Sequence, residues 1–178
     1  MVFSLAVGCT TPPPLTPVPP LIGGQEVSEI LKRAEAGNPD AQNQLGVFYS
    51  EGRGLPQNYH EAKDWFKKAA DQGHADAQVN LGTLYSLGQG ATFSDQMALF
   101  WFQKAADQRN ALAFAKLGMM YERGRGVPQN LVDAHMWYNL SAAYGEKRAA
   151  ESRNAVATRM TSAQVAEAEE RAKKWKPK

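Results

Sequence analysis

The sequence predicts an all-α fold, an α-α superhelix of stacked helix-turn-helix units. Three observations predict it. One pattern of residues recurs in phase three times with a period of 36. Apolar residues within each period fall at helical spacing, and polar caps and glycine stops bracket each stretch. Leu45-Gly46 recurs as Leu81-Gly82 and Leu117-Gly118, Tyr49 as Tyr85 and Tyr121, and Gly52 as Gly88 and Gly124. Ala62, Ala98 and Ala134 align, as do Trp65, Trp101 and Trp137, each Trp followed by an aromatic (Phe66, Phe102, Tyr138).

Taken in order, residues 25–37 read as the second helix of a truncated leading unit. Full units occupy 38–73, 74–109 and 110–145. In the first unit Ala41, Leu45 and Tyr49 form one helical stripe, since positions four apart share a face. Asn38 is an N-cap, and Pro39 at the first helical position loses no needed hydrogen bond. Gly52 ends that helix where a positive φ is wanted. Asn58, with Glu61 behind it, caps the second helix; Asn130 with Asp133 repeats the arrangement, and Ser94 caps without an acid. Gly73 and Gly145 stop the second helices, and Arg109 stands in that place in the middle unit. Residues 146–178 close the stack with helices, the last one opened by Thr161 with Gln164, the pattern of a capping box.

The segments EGRGLPQN (51–58) and RGRGVPQN (123–130) raise the prospect of a phosphate loop, but LGQGATFS (87–94) is a third copy. A phosphate loop needs a strand before it and a Gly-Lys-Ser/Thr entry into a helix, and neither is present. The loops are therefore read as helix stops and tight turns, with Arg53 and Arg125 solvated.

Composition narrows the function classes. Apolar residues make up 43% and charged residues 21% of the 178, with a net charge of +2, which fits a folded body and lacks the strong basic excess of a nucleic-acid binder. No apolar run is long enough for a membrane-spanning helix. Cys9 is the only cysteine, so no intrachain disulfide or cysteine-based zinc site can form. His60, His74 and His135 have no metal-ligand spacing, and His74 occupies the cap position held elsewhere by Asn38 and Asn110. No cofactor, metal site or nucleophile-base constellation is expected. The basic RAKKWKPK ending suits a helix C-terminus, where cations complement the macrodipole.

Ala-x-x-x-Leu-Gly-x-x-Tyr, Gly-x-Gly and Ala-x-x-Trp-Phe/Tyr-x-x-Ala-Ala over residues 38–145 resemble the Sel-like repeat family, relatives of the tetratricopeptide repeat. The resemblance implies a right-handed superhelix that acts as a non-enzymatic scaffold or adaptor for a protein or peptide partner. By similarity to tetratricopeptide arrays, the first-helix positions facing away from the second helix line a concave groove. The positions expected to contact a partner are Asn43, Val47, Val79, Thr83, Leu112, Ala115 and Met119. Alternatively, Val47, Val79 and Met119 pack within the superhelix. Asp40, Asp76 and Glu122 near the groove suggest a peptide with apolar anchors and some positive charge. Cysteine-rich relatives have been discussed as penicillin-binding proteins or β-lactamases. The rival reading is accordingly an envelope hydrolase, which this chain's lack of paired cysteines and of a Ser-x-x-Lys motif disfavours.

MVFSLAVGC followed by TTPPPLTPVPP resembles a bacterial lipoprotein signal with Cys9 as the lipidation candidate. Residues 1–24 would then be a truncated signal and a Pro-rich tether displaying the array in the bacterial envelope. No basic residue precedes the apolar stretch, unlike an ordinary signal; without lipidation the chain would be a cytoplasmic adaptor.

Overall fold

The structure, a computed structural model, describes residues 24–177; Cys9 and the signal and tether expected before Gly24 lie outside the described residues. Within them the chain forms α1 (Gly24–Glu35), α2 (Pro39–Glu51), α3 (Tyr59–Asp71), α4 (Ala75–Leu87), α5 (Asp95–Asp107), α6 (Ala111–Arg123), α7 (Leu131–Ala143), α8 (Ala149–Ala157) and α9 (Ser162–Lys174).

The local chemistry explains the boundaries. Asn38, His74 and Asn110 accept from the backbone N–H groups of Ala41, Ala77 and Ala113, and Asn58, Ser94 and Asn130 cap the second helices. Each of these bonds satisfies a donor that the helix start leaves free. Thr161 and Gln164 form the reciprocal capping box of α9. Gly52, Gly88 and Gly124 end the first helices with φ near +70° (70, 67 and 68°). Arg109, which replaces glycine after α5, is the described non-glycine residue at positive φ, 63°.

Within each repeat the two helices pack most extensively on each other: α2 on α3, α4 on α5, α6 on α7. The reason is a glycine facing an aromatic ring. A Cβ on Gly46 would lie 2.5 Å from Phe66, one on Gly82 2.7 Å from Phe102, and one on Gly118 2.7 Å from Tyr138. Only a hydrogen in that place lets the ring come this close to the helix backbone. Alanines on the second helix (Ala62, Ala98, Ala134) are fully buried in the same contacts. Burying these rings removes apolar surface from water at about 25 cal/mol per Å².

The seams between repeats are held differently. Trp65 joins the cluster formed by Ala34, Ala41 and Leu45, Trp101 that of Ala69, Ala70 and Leu81, and Trp137 that of Ala105, Ala106 and Phe114. Each Trp thus reaches back over the preceding seam. Buried amides add hydrogen bonds there. Gln42 and Gln78 donate to the carbonyls of Ala34 and Ala70, and accept in turn from Gln72 and Gln108. Neighbour-only packing of this kind is what makes a repeat array quasi-one-dimensional.

The C-terminal helices close the stack through α7. Both α8 and α9 pack on α7 instead of chiefly on one another. Met136 and Leu140 of α7 share a core with Ala168 and Ala172 of α9, and Trp175 meets Phe114 edge-on at 5.1 Å between ring centres. The last helix is therefore a strap over the second helix of repeat 3.

Candidate functional site along the first helices

The helices α2, α4 and α6 are tied together by a line of side-chain hydrogen bonds that runs between repeats. Asn80 donates to Asn43 at 3.0 Å, and Asn110 donates to Asp76 at 2.7 Å. His74 completes the line. Its Nδ1 accepts from the Ala77 N–H, so Nε2 carries the proton and donates to Asp40 at 3.1 Å. Both ring nitrogens are used structurally.

Three hollows lie along this line. The first, about 250 Å³, sits between α1 and α2 and includes Asn43, Val47 and Arg53; the second, also about 250 Å³, includes Val47, Ser50, Asn80 and Thr83. The third, about 520 Å³, lies between α6 and α8 and includes Leu112, Ala115, Lys116, Met119 and Glu122. Leu112 is 44% exposed there. A further depression, on the outer face of α3, is lined by that helix alone and carries the ion pairs Lys63–Asp64 and Lys67–Asp71. With no second element converging on it, it is a corrugation of a charged surface.

Of the residues expected to face a partner, Asn43, Val47, Thr83, Leu112, Ala115 and Met119 line these hollows. Val79 does not. It is 2% exposed and belongs to the core around Phe102 and Phe114, so for Val79 the internal-packing alternative holds. Thr83 is half-buried, its hydroxyl donating back to the Val79 carbonyl.

One electrostatic expectation needs correction. Arg125 is not solvated. Its guanidinium grips Asp95 at 2.6 Å and donates to the Ser86 carbonyl at 2.7 Å, joining repeat 3 to both helices of repeat 2. Arg53, the equivalent residue of repeat 1, is exposed and pairs with Glu51. The acids near the groove already have partners within the protein, although Asp40 and Asp76 stay exposed. Asp40 is bonded to His74, Asp76 to Asn110, and Glu122 to both the Tyr138 hydroxyl and Arg159. Burial and the Glu122 carboxylate together raise the Tyr138 pKa well above its ordinary value, so the phenol stays protonated and donating.

Sequence reasoning missed the inter-repeat amides Gln42, Gln78 and Asn80, and the bond that Asn80 makes to Asn43. The first two recur at the repeat spacing and carried that signal; Asn43 and Asn80 occupy different repeat positions and gave none. The second glycine of each Gly-x-Gly was also read too simply. A Cβ on Gly126 would fall 2.9 Å from the Asp95 carbonyl oxygen, so this glycine lets the turn of repeat 3 lie on the start of α5. The remaining histidines are spread apart: His60 is exposed on α3, and His135 is buried with its Nδ1 unbonded. Desolvation and the nearby Arg153 hold the His135 pKa below the ordinary imidazole value.

The fold and this surface define a class, a helical-repeat solenoid of the kind that generally serves as a protein-interaction scaffold. The chain belongs to the Sel1 repeat family, which matches residues 39–74, 75–110 and 111–145. It is similar to a Sel1 repeat protein from Oxalobacter formigenes, with 34% identity and a TM-score of 0.63 over 72% of this chain and 58% of that one. It is also similar to a protective antigen of uropathogenic Escherichia coli strains that displays the SLR fold, with 27% identity and a TM-score of 0.63 over 82% of this chain and 39% of that one. Cysteine rich protein B of Helicobacter pylori shares the fold at 19% identity and a TM-score of 0.58, over 72% of this chain and 98% of that one. The chain thus spans 58% and 39% of the length of the first two relatives. No curated protein matches it.

Proposed function

We propose that this chain is a non-enzymatic adaptor that holds an extended segment of a partner protein along its first-helix face. The observation that carries the reading is the line of hollows containing Val47, Thr83, Leu112 and Met119, apolar or small side chains that internal packing leaves half-exposed or exposed. Alternating small hollows and fixed polar groups suit an extended peptide, whose side chains seat at intervals while the scaffold stays rigid. Display at the bacterial envelope through Cys9 is part of the same proposal, supported by the Leu-Ala-Val-Gly-Cys sequence ahead of the proline-rich stretch.

The test places a photo-crosslinking amino acid singly at Val47, Thr83 or Met119, and at Asp64 or Phe100 on the second-helix surface, in the protein expressed from its full reading frame. Crosslinks to one partner from the first three positions, abolished when the other two of them are changed to Glu with helicity unchanged, are the expected result. Crosslinks confined to Asp64 and Phe100 would move the interaction to the opposite face. Recovery of the Cys9 protein wholly in the soluble fraction would remove the envelope part of the reading.

A further inference from the structure

The hollow between α6 and α8 differs from the other two in its charge. Lys116, Arg123 and Arg148 line it, and among the described residues none of their charged groups has a hydrogen bond or ion pair. The two acids of the same hollow are engaged: Glu122 accepts from Tyr138 and Arg159, and Glu146 accepts from the backbone N–H of Arg148. The repeat explains why Lys116 is stranded. It occupies the position of Asn80, which in repeat 2 donates to Asn43. The corresponding partner for Lys116 is Val79, which is apolar and buried. Lys116 is half-buried, and its desolvated ammonium has a pKa lowered from the ordinary value. A partly buried cation without a counter-charge is unfavourable in the free protein, and an incoming carboxylate relieves that. The same hollow is lined by the exposed Leu112 and the half-buried Ala115 and Met119.

We propose that this hollow is the seat of an acidic peptide segment. An apolar side chain of the partner rests on Leu112, Ala115 and Met119, and a neighbouring Asp or Glu carboxylate is bound by Lys116, with Arg123 and Arg148 at the rim. The inference rests on the peptide-binding role proposed above and adds the partner's chemistry to it. It differs from the charge that the groove acids suggested, because in this hollow Glu122 is engaged by Tyr138 and Arg159 while Lys116 has no such partner. A charge-assisted hydrogen bond in a half-buried site is stronger than one between neutral groups, whereas the rim arginines act mainly on the approach of the ligand.

The experiment uses fluorophore-labelled heptapeptide sets, acetylated and amidated, with Leu or Phe at the centre. The flanking positions are Glu in one set, Gln in a second and Lys in a third. Binding to the whole chain is read by fluorescence polarisation at low ionic strength. The Glu set is expected to bind about tenfold tighter than the Gln set. Lys116→Met, which keeps the apolar stem, should bring the Glu set down to the Gln level and leave Gln-set binding unchanged; Lys63→Met on α3 should leave the preference intact. Equal binding of the Glu and Gln sets, or a preference for the Lys set, would overturn the acidic assignment while the peptide groove survives. A Gln set with a free terminal carboxylate that matches the Glu set would replace an acidic side chain with a chain terminus. Failure of every set to bind would sink the peptide-binding role and this inference together.

Discussion

At the residue scale, the recurring motif is a set of contacts between a glycine on one helix and a ring on the next. Leu-Gly and Trp-aromatic both stand out as repeated words in the sequence. What the words do not say is that Gly82 faces Phe102, not Trp101. The neighbouring Trp turns instead to the seam behind it, where its indole N–H finds no acceptor. Single residues also set the response to pH. His135 is 2% exposed and its pKa is depressed chiefly by desolvation. Below the unfolded imidazole pKa of about 6.5 the unfolded chain binds a proton that the folded one refuses, so stability falls as pH falls through that value toward the folded pKa. Urea unfolding followed across this acid range should therefore show a shallower loss for His135→Leu than for the unaltered protein. An unchanged slope would assign the acid sensitivity elsewhere.

At the element scale, the Gly-x-Gly turns act as joints between repeats. The first glycine ends a helix, and the second lies against the start of the preceding repeat's second helix. Among the described residues, a charged lock is seen at the joint of repeat 3. Tyr59 stands at the Asp95 position of repeat 1 and Gln89 at the Arg125 position of repeat 2, and neither is charged. Arg125 and Asp95 are 26% and 17% exposed, so the pair is neither fully screened nor fully buried. Arg125→Ala leaves Asp95 and the Ser86 carbonyl without this donor, and should cost about 1–2 kcal/mol in denaturant unfolding. Arg53→Ala should cost less than about 0.5 kcal/mol, as surface substitutions usually do. Similar costs for the two would mean that the Asp95 contact adds nothing.

At the scale of the whole molecule, repeat 3 is built to receive the C-terminal strap. The positions held by Gln42 and Gln78 in the first two repeats are taken by Phe114, and those of Gln72 and Gln108 by Tyr144. The hydrogen-bonded amide pair thus becomes an aromatic pair at 5.4 Å, and Trp175 packs onto Phe114 and Trp137. Arg171 adds an ion pair to Asp133 across the same contact. Trp175→Ala should cost about 2 kcal/mol, less than the 3–5 kcal/mol of a fully buried Trp because this one is half-exposed. Because a solenoid couples nearest neighbours, hydrogen exchange should rise in α9 and α7 and stay unchanged in α2 and α3. A uniform rise would show the array to open as one cooperative unit.

By itself the sequence determined the class, the register and the ends of the helices. Those depend on local chemistry, such as the Asn38 and Thr161 caps or the φ that Gly52 can adopt, and repetition made each signal visible three times. Tertiary structure alone decided which side chains remain free. Val79 and Met119 stand near one another in the repeat pattern, yet one is buried in a seam and the other lines a hollow. Asp76 and Lys116 are both ordinary charged residues in the sequence, but only Lys116 lacks a described partner. Whether a charge is satisfied depends on groups some 30 or more residues away, such as those joined by the Asp76–Asn110 and Glu122–Arg159 bonds. Those distances are set when the helices stack.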